Sequence, residues 1–220
     1  MLMSIKDLTR RYAGQNRDVL RGASFDLARG ESVALTGDSG SGKSTVLHLL
    51  AALDRPDRGQ ILFEGTDISN LSDAAASELR RGRIALVFQQ YNLVPALNVA
   101  ENISLHARLG RRFDPAWTET LVRHLGLSGL LTRYPEQISG GQQQRVAIAR
   151  SLAVRPDLLL ADEPTGNLDE TASAEVLRLM LDLVSRSGSA LFLVTHSPQI
   201  AARCDRHLHL SGGQVRSAAP

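Results

Sequence analysis

The sequence holds a single cysteine, Cys204, among its 220 residues. An internal disulfide is excluded, and the chain fits a reducing compartment. No apolar stretch approaches the roughly 18 residues that a bilayer crossing needs, and the opening MLMSIKDLTRRY is too polar for a secretory leader. The expectation is a protein that neither spans a membrane nor is exported by that route, with the cytoplasm as its place. Blocks of one charge sign are missing as well. The 25 Lys and Arg residues are interspersed with 23 Asp and Glu for a net charge of +2, so the charge balance gives no ground for a nucleic-acid partner. There is no internal repeat, low-complexity tract or linker, which leaves one copy of any site per chain. What remains is ordinary globular material, 43% hydrophobic and 22% charged, enough for one domain with a modest insert.

Four short apolar runs each end abruptly in a polar cluster: SVALTGDSG (32–40), IALVFQQ (84–90), DLLLADE (157–163) and ALFLVTH (190–196). Continuous rather than alternating apolar character predicts strands buried on both faces, as in a parallel sheet covered by helices. Ligands of such sheets sit at the carboxyl ends of the strands. Those ends carry Gly37 to Thr45, Gln89, Asp162 with Glu163, and His196, so the four clusters are expected to converge on one crevice. Helices are expected between the runs, over Lys43–Leu53, Ser72–Arg81, Gly140–Arg155 and Thr171–Ser187, and the alternation reads as α/β. The alternating segments SIKDLTRRY and VLRGASFDLARG, with GQILFEGTDI, predict a smaller antiparallel sheet. Between residues about 90 and 137 the texture becomes helical: Val99–Leu109, then a helix to Leu125 with Asp114 as N-cap and Pro115 in its first position.

GDSGSGKS, Gly37 to Ser44, fits G-x-x-x-x-G-K-[ST] in full, between an expected strand and an expected helix. In such a loop, glycines let backbone N–H groups turn around phosphate oxygens, the helix start adds its positive dipole end, the lysine reaches the β- and γ-phosphates and the serine meets Mg²⁺. Gly37, Asp38, Ser39, Gly40, Ser41, Gly42, Lys43, Ser44 and Thr45 are therefore assigned to the phosphates of a nucleotide. A carboxylate pair after a strand is, alone, more often an ordinary turn. Behind this loop, Asp162 is suited to hold Mg²⁺ through water and Glu163 to polarise an attacking water. Gln89 offers an amide oxygen to Mg²⁺ or its water, and His196 a donor to the γ-phosphate, against the plainer readings of a solvated loop amide and a helix-start residue. Tyr12 either stacks on adenine or packs in the small sheet. Ser139 is a fitting N-cap for the helix beginning SGGQQQRVAIARSL, and the same N-terminus presents free N–H groups to an anion. It does not stand at the end of an apolar run, so a second subunit could carry it to the phosphate of its partner.

Taken together these residues resemble, essentially end to end, the nucleotide-binding subunit of ATP-binding cassette (ABC) transporters. GDSGSGKST resembles its P-loop, Gln89 its Q-loop glutamine, ISGGQ (138–142) its signature, LLLADE its Walker B, GNLD (166–169) its D-loop and His196 its switch histidine, in the family's order. The resemblance implies an ABC ATPase fold: a P-loop NTPase with a mostly parallel core sheet, an N-terminal antiparallel β subdomain and a helical insert. It implies one domain over 1–220, with 1–89 and 138–220 as core and about 90–137 as helical subdomain. It also implies an enzyme that hydrolyses ATP with Mg²⁺ held by Ser44, Gln89 and Asp162, with Glu163, His196 and Gln89 catalytic. The partner is a second copy in a head-to-tail dimer, where Ser139, Gly140, Gly141 and Gln142 act on the other copy's nucleotide and Asp169 lines the seam. VFQQYNLVPALNVAENI, SGGQQQRVAIARSL and ADEPTGNLD look most like the cassettes of lipoprotein release and macrolide export. Such a subunit drives a transmembrane permease docking near residues 90–100 and lies peripherally on the inner face of the cell membrane, with no nucleic acid involved. Ile138 stands where the signature usually has Leu, and Asp38 where the P-loop often has Pro. The rival classes are a soluble ABC ATPase of nucleic-acid repair or translation, whose long coiled coil or second cassette is missing, and a regulatory cassette without turnover, which Glu163 and His196 argue against.

Overall fold

The computed structural model describes residues 1–12, 14 and 17–218. The chain forms two compact units, Met1–Ser77 with Ala190–Pro220, and Glu78–Ser189.

The first unit contains two sheets. In one, β1 (Met3–Arg10) lies between β2 (Leu20–Leu27) and β4 (Arg58–Phe63), with β5 (Thr66–Asp67) at the edge, all antiparallel. This is the small sheet that period-two alternation predicts. In the other, β3 (Ser32–Thr36) pairs parallel with both β8 (Ala190–Val194) and β9 (Arg206–Ser211), and β10 (Gln214–Ser217) closes an antiparallel hairpin on β9. Every residue of β8 is buried, as a continuous apolar run requires. Phe25 of β2 stacks on Phe192 of β8 at 5.5 Å between ring centroids, joining the two sheets in one core. Helix α1 (Lys43–Leu50) follows β3, and the short α7 (Pro198–Ala201) follows β8.

In the second unit, β6 (Ile84–Val87) and β7 (Leu158–Asp162) pair in parallel, with Ile84 opposite Leu158 and Val87 opposite Ala161. Helix α5 (Gly140–Leu152) packs on β6 and on α3 (Val99–Leu109), α4 (Pro115–His124) and α6 (Glu170–Ser187). The indole N–H of Trp117 on α4 donates to the Leu152 carbonyl at 2.8 Å, satisfying the polar handle of the one tryptophan as it is buried. Helix α2 (Asp73–Gly82) runs through the chain's passage from one unit to the other.

The helix ends follow local chemistry. Asn98 caps α3 in a reciprocal box with Glu101, Asp114 caps α4 with Pro115 next in line, and Asp169 caps α6. Two expected helices stop early, at Leu50 rather than Leu53 and at Leu152 rather than Arg155. Ala52 and Arg155 both adopt left-handed backbone, with φ of 49° and 47°, which no helix continues through. The β9–β10 hairpin is absent from the sequence expectations. Its signal was present in HLHLSGGQVR: alternation around Gly212 and Gly213, both at positive φ.

Candidate functional site

The loop Gly37–Gly42 is built where β3 gives way to α1. Gly37 has φ of 152°, and a Cβ there would lie 2.5 Å from the Leu210 carbonyl oxygen; Gly42 has φ of 104°, and its Cβ would lie 2.6 Å from Val19 Cγ1. Side chains are excluded at both positions by space as well as by backbone angle. Lys43 Nζ donates to the carbonyls of Gly37 at 2.7 Å and Asp38 at 2.9 Å, which folds the ammonium back over the loop. Ser41 Oγ is buried without a hydrogen-bond partner among the described residues.

One contrast sets α1 apart. Helices α3, α4, α5, α6 and α7 each open on a side-chain cap, from Asn98, Asp114, Ser139, Asp169 and Ser197, whereas α1 opens on Gly42 with no side-chain cap hydrogen bond. Glycine at the N-cap brings no side-chain oxygen to the helix start, where an anion's oxygens could serve instead. The orphaned Ser41 hydroxyl, the space that a Cβ would fill and the helix start without a side-chain cap all fit a phosphate chain. His196 leaves from the same edge, since β3 and β8 run parallel with Leu35 opposite Val194, and the Thr195 amide donates to the Leu35 carbonyl.

Tyr12 lies just beyond β1. Its hydroxyl is 3.1 Å from Asp54 Oδ2 and 3.3 Å from Thr45 Oγ1, and the Arg10 guanidinium stands 4.8 Å from the ring centroid. Arg10 is itself paired with Asp54 and Asp57. The ring is thus tied to α1, with a cation over one of its faces.

In the second unit the parallel pairing of β6 and β7 sends Gln89 and the pair Asp162 and Glu163 out of one edge. Glu163 has φ of 44°, a left-handed conformation that a non-glycine residue adopts at a cost in strain, and its carbonyl accepts from the Gly166 amide at 3.0 Å. This turn carries the chain into the D-loop. There Asn167 Nδ2 donates to the Gln89 carbonyl at 2.9 Å, and Gln89 Nε2 reaches Asn167 Oδ1 at 3.5 Å. Ser139 caps α5 as expected: its hydroxyl accepts from the Gln142 amide at 3.3 Å, and Gln142 Oε1 accepts from the Ser139 amide at 2.9 Å. The Gln142 side-chain carbonyl oxygen is committed to that box, and Gly140, Gly141 and Gln142 are all half-buried beside an exposed Ser139. A Cβ on Gly141 would touch Leu168, next to Asp169, at 3.9 Å.

By unit, the phosphate loop, Tyr12 and His196 belong to the first, and Gln89, Asp162, Glu163, Asp169 and the signature to the second. Sequence reading missed Asn167, Tyr91 and Arg150, the last gripping backbone just after Gln89. Arg150 had a faint signal, a cation inside the apolar stretch VAIARSL.

The family model described as ABC transporter matches residues 20–166. The chain belongs to the ABC transporter ATP-binding family. It is an ABC ATPase with the cassette fold. A lipoprotein-releasing system ATP-binding protein LolD of Geobacter metallireducens is 43% identical over 219 residues, which cover 97% of each chain. The LolD of Myxococcus xanthus is 39% identical over 99% of each, and the uncharacterised ABC transporter ATP-binding protein YbbA of Escherichia coli K12 is 43% identical over 91% of this chain and 90% of that one. Among solved structures, the ATP-binding cassette MJ0796, a dimer in a post-hydrolysis state bound to ADP and Pi, superposes with a TM-score of 0.87 at 31% identity over 99% of each chain.

Proposed function

We propose that this chain is the ATPase subunit of a lipoprotein-releasing type of transporter, working as two copies closed around two ATP molecules and driving a separate membrane permease. The observation that carries the ATP site is the start of α1, a glycine-walled loop leading into a helix without a side-chain cap. The transporter type rests on LolD relatives that match along almost their whole length.

In this reading Gly37 to Thr45 bind the phosphates and Tyr12 offers adenine the ring face away from Arg10. Ser44, Gln89 and Asp162 carry oxygen donors of the kind that Mg²⁺ prefers, and the ion when bound offsets phosphate charge. Glu163, thrown off the end of β7 by its left-handed turn, orients and deprotonates the attacking water, and His196 donates to the γ-phosphate. Ser139, Gly140 and Gly141 act on the partner copy's nucleotide through the N-terminus of α5, with Gln142 fixing Ser139, and Asp169 lies along the seam. The two units act as one ATPase domain, with residues about 90–137 as its helical part.

Residues 90–100 receive the permease. Asn92, Val94, Pro95, Ala96 and Ala100 are exposed, and Leu97 begins an apolar groove of about 790 Å³ that Ile103, Leu109, Phe113 and Val122 also line. No helix among the described residues is long and apolar enough to cross a membrane, and attachment to the inner face would come through the permease.

Glu163→Gln tests the mechanism. The amide keeps the size and the acceptor but is a very poor base, so the variant should bind Mg-ATP, release almost no phosphate and accumulate as an ATP-dependent dimer. Size-exclusion chromatography with and without Mg-ATP, beside a phosphate-release assay, reads both. Near-normal release would remove Glu163 as the base. Abolished release without a dimer would count against the two-copy sandwich.

A further inference from the structure

Arg150 is 4% exposed on the buried side of α5. Its Nη1 donates to the Asn92 carbonyl at 2.7 Å and its Nη2 to the Tyr91 carbonyl at 3.1 Å, while Nε has no partner among the described residues. Burial lowers its pKa. A buried cation without a counter-ion is costly to keep, and among the described residues Arg150 has none: its hydrogen bonds go to two successive carbonyls of one short segment. A planar fork can hold two such oxygens at once, which an ammonium cannot match. Asn92 adopts a left-handed φ of 50°, sharply bending the segment that Arg150 holds.

The same segment is held at a second point. A Cβ on Gly140 would lie 2.7 Å from the Tyr91 hydroxyl, so the phenol rests directly on the first residue of α5. Gly140 and Arg150 are ten residues apart, about 15 Å along a helix. Helix α5 thus holds the residues just after Gln89 both at its signature end and near its C-terminus. Asn102 fixes the following loop from α3, donating to the carbonyls of Val94, Leu97 and Asn98 and accepting from the Val94 amide.

We propose that Arg150 is a positioning residue for ATP turnover, whose fork on the Tyr91 and Asn92 carbonyls makes the segment after Gln89 and the signature helix one rigid piece. A displacement of residues 90–100 is then delivered to Ser139, Gly140 and Gly141 rather than absorbed in the loop. This rests on the reading that Gln89 and the signature act on ATP.

The test uses the full chain with Arg150→Gln and Arg150→Lys. Arg150→Gln should speed amide exchange over residues 91–97 by about 10-fold or more and lower kcat by about 10-fold or more, as slight misplacement does, with ATP affinity held within about 3-fold because the phosphate loop is untouched. Arg150→Lys keeps the charge without the fork and should fall between the variant and the parent in both exchange and kcat. If Arg150→Gln does not fold, that graded loss in Arg150→Lys is the deciding result. Faster exchange with unchanged kcat, lost kcat with unchanged exchange, or affinity falling in step with kcat would each overturn the proposal. Gln89→Ala is run alongside: full turnover there removes the site reading itself, whereas lost turnover there with full turnover in Arg150→Gln removes the clamp alone.

Discussion

Lys43 carries the only cationic side chain of the phosphate loop, and it is held by the loop's own carbonyls. In the proposed ATP site its truncation would leave phosphate charge unpaired. Lys43→Ala should therefore cost ATP binding on the order of 2–5 kcal/mol, by analogy with removing one partner of a buried charge pair. Calorimetric titration with ATP measures this directly, and unchanged affinity with unchanged turnover would remove the loop's assignment. A second residue-scale effect belongs to His106 on α3, whose pKa is lowered from 6.5 to about 4, first by burial and then by the nearby charge of Arg150. Between those two values the unfolded chain binds a proton that the folded chain does not, so stability is full above pH 6.5 and falls as the pH drops toward 4. The slope is at most about 1.4 kcal/mol per pH unit. Urea unfolding at pH 7 and pH 5 should show the loss, and His106→Gln should remove most of the difference; an equal loss in the variant would place the effect elsewhere.

At the scale of elements, the loop between β6 and α3 is ordered by side chains rather than by a ladder. Asn102 is fully buried and meets one amide and three carbonyls within 3.1 Å, while the Asn98 and Glu101 box closes the start of α3. Asn102→Ala strands those backbone groups. The expected cost is at least about 2 kcal/mol of folding stability, with faster exchange at Val94, against about 1 kcal/mol for Asn98→Ala, which loses only a cap. Denaturant midpoints rank the two, and equal midpoints would mean that the loop does not depend on Asn102. These elements were unevenly legible. The strands β3, β6, β7 and β8 announce themselves as apolar runs because both faces are buried. The caps Asp114 and Ser139 could be read because their chemistry reaches only three residues along the chain. The grip of Arg150 on Asn92 could not, because it joins residues 58 apart and its acceptors are backbone atoms that leave no mark on the sequence.

On the scale of the whole molecule, the proposed partner contact makes a separable prediction. Leu93→Glu and Leu97→Glu place charge in the exposed loop and at the edge of the apolar groove. Both should abolish co-purification with the permease while thermal stability and ATP binding stay near those of the unmodified chain. Loss of the fold in both variants would show instead that these leucines pack within the helical part.

The sequence by itself determined the class of the protein and the kind of chemistry it carries. The phosphate loop, the carboxylates after LLLA and the signature are contiguous motifs whose function depends on local backbone, and local backbone follows from glycine, caps and runs of apolar residues. Only the tertiary structure decided that α1 opens without a side-chain cap while α3 to α7 open with one, that Glu163 sits in a left-handed turn, that Asn167 holds Gln89, and that a buried arginine ties Tyr91 and Asn92 to the signature helix. Each of these is a relation between chain segments or a choice among allowed backbone conformations, set by which groups packing leaves for one another to satisfy once the core has closed.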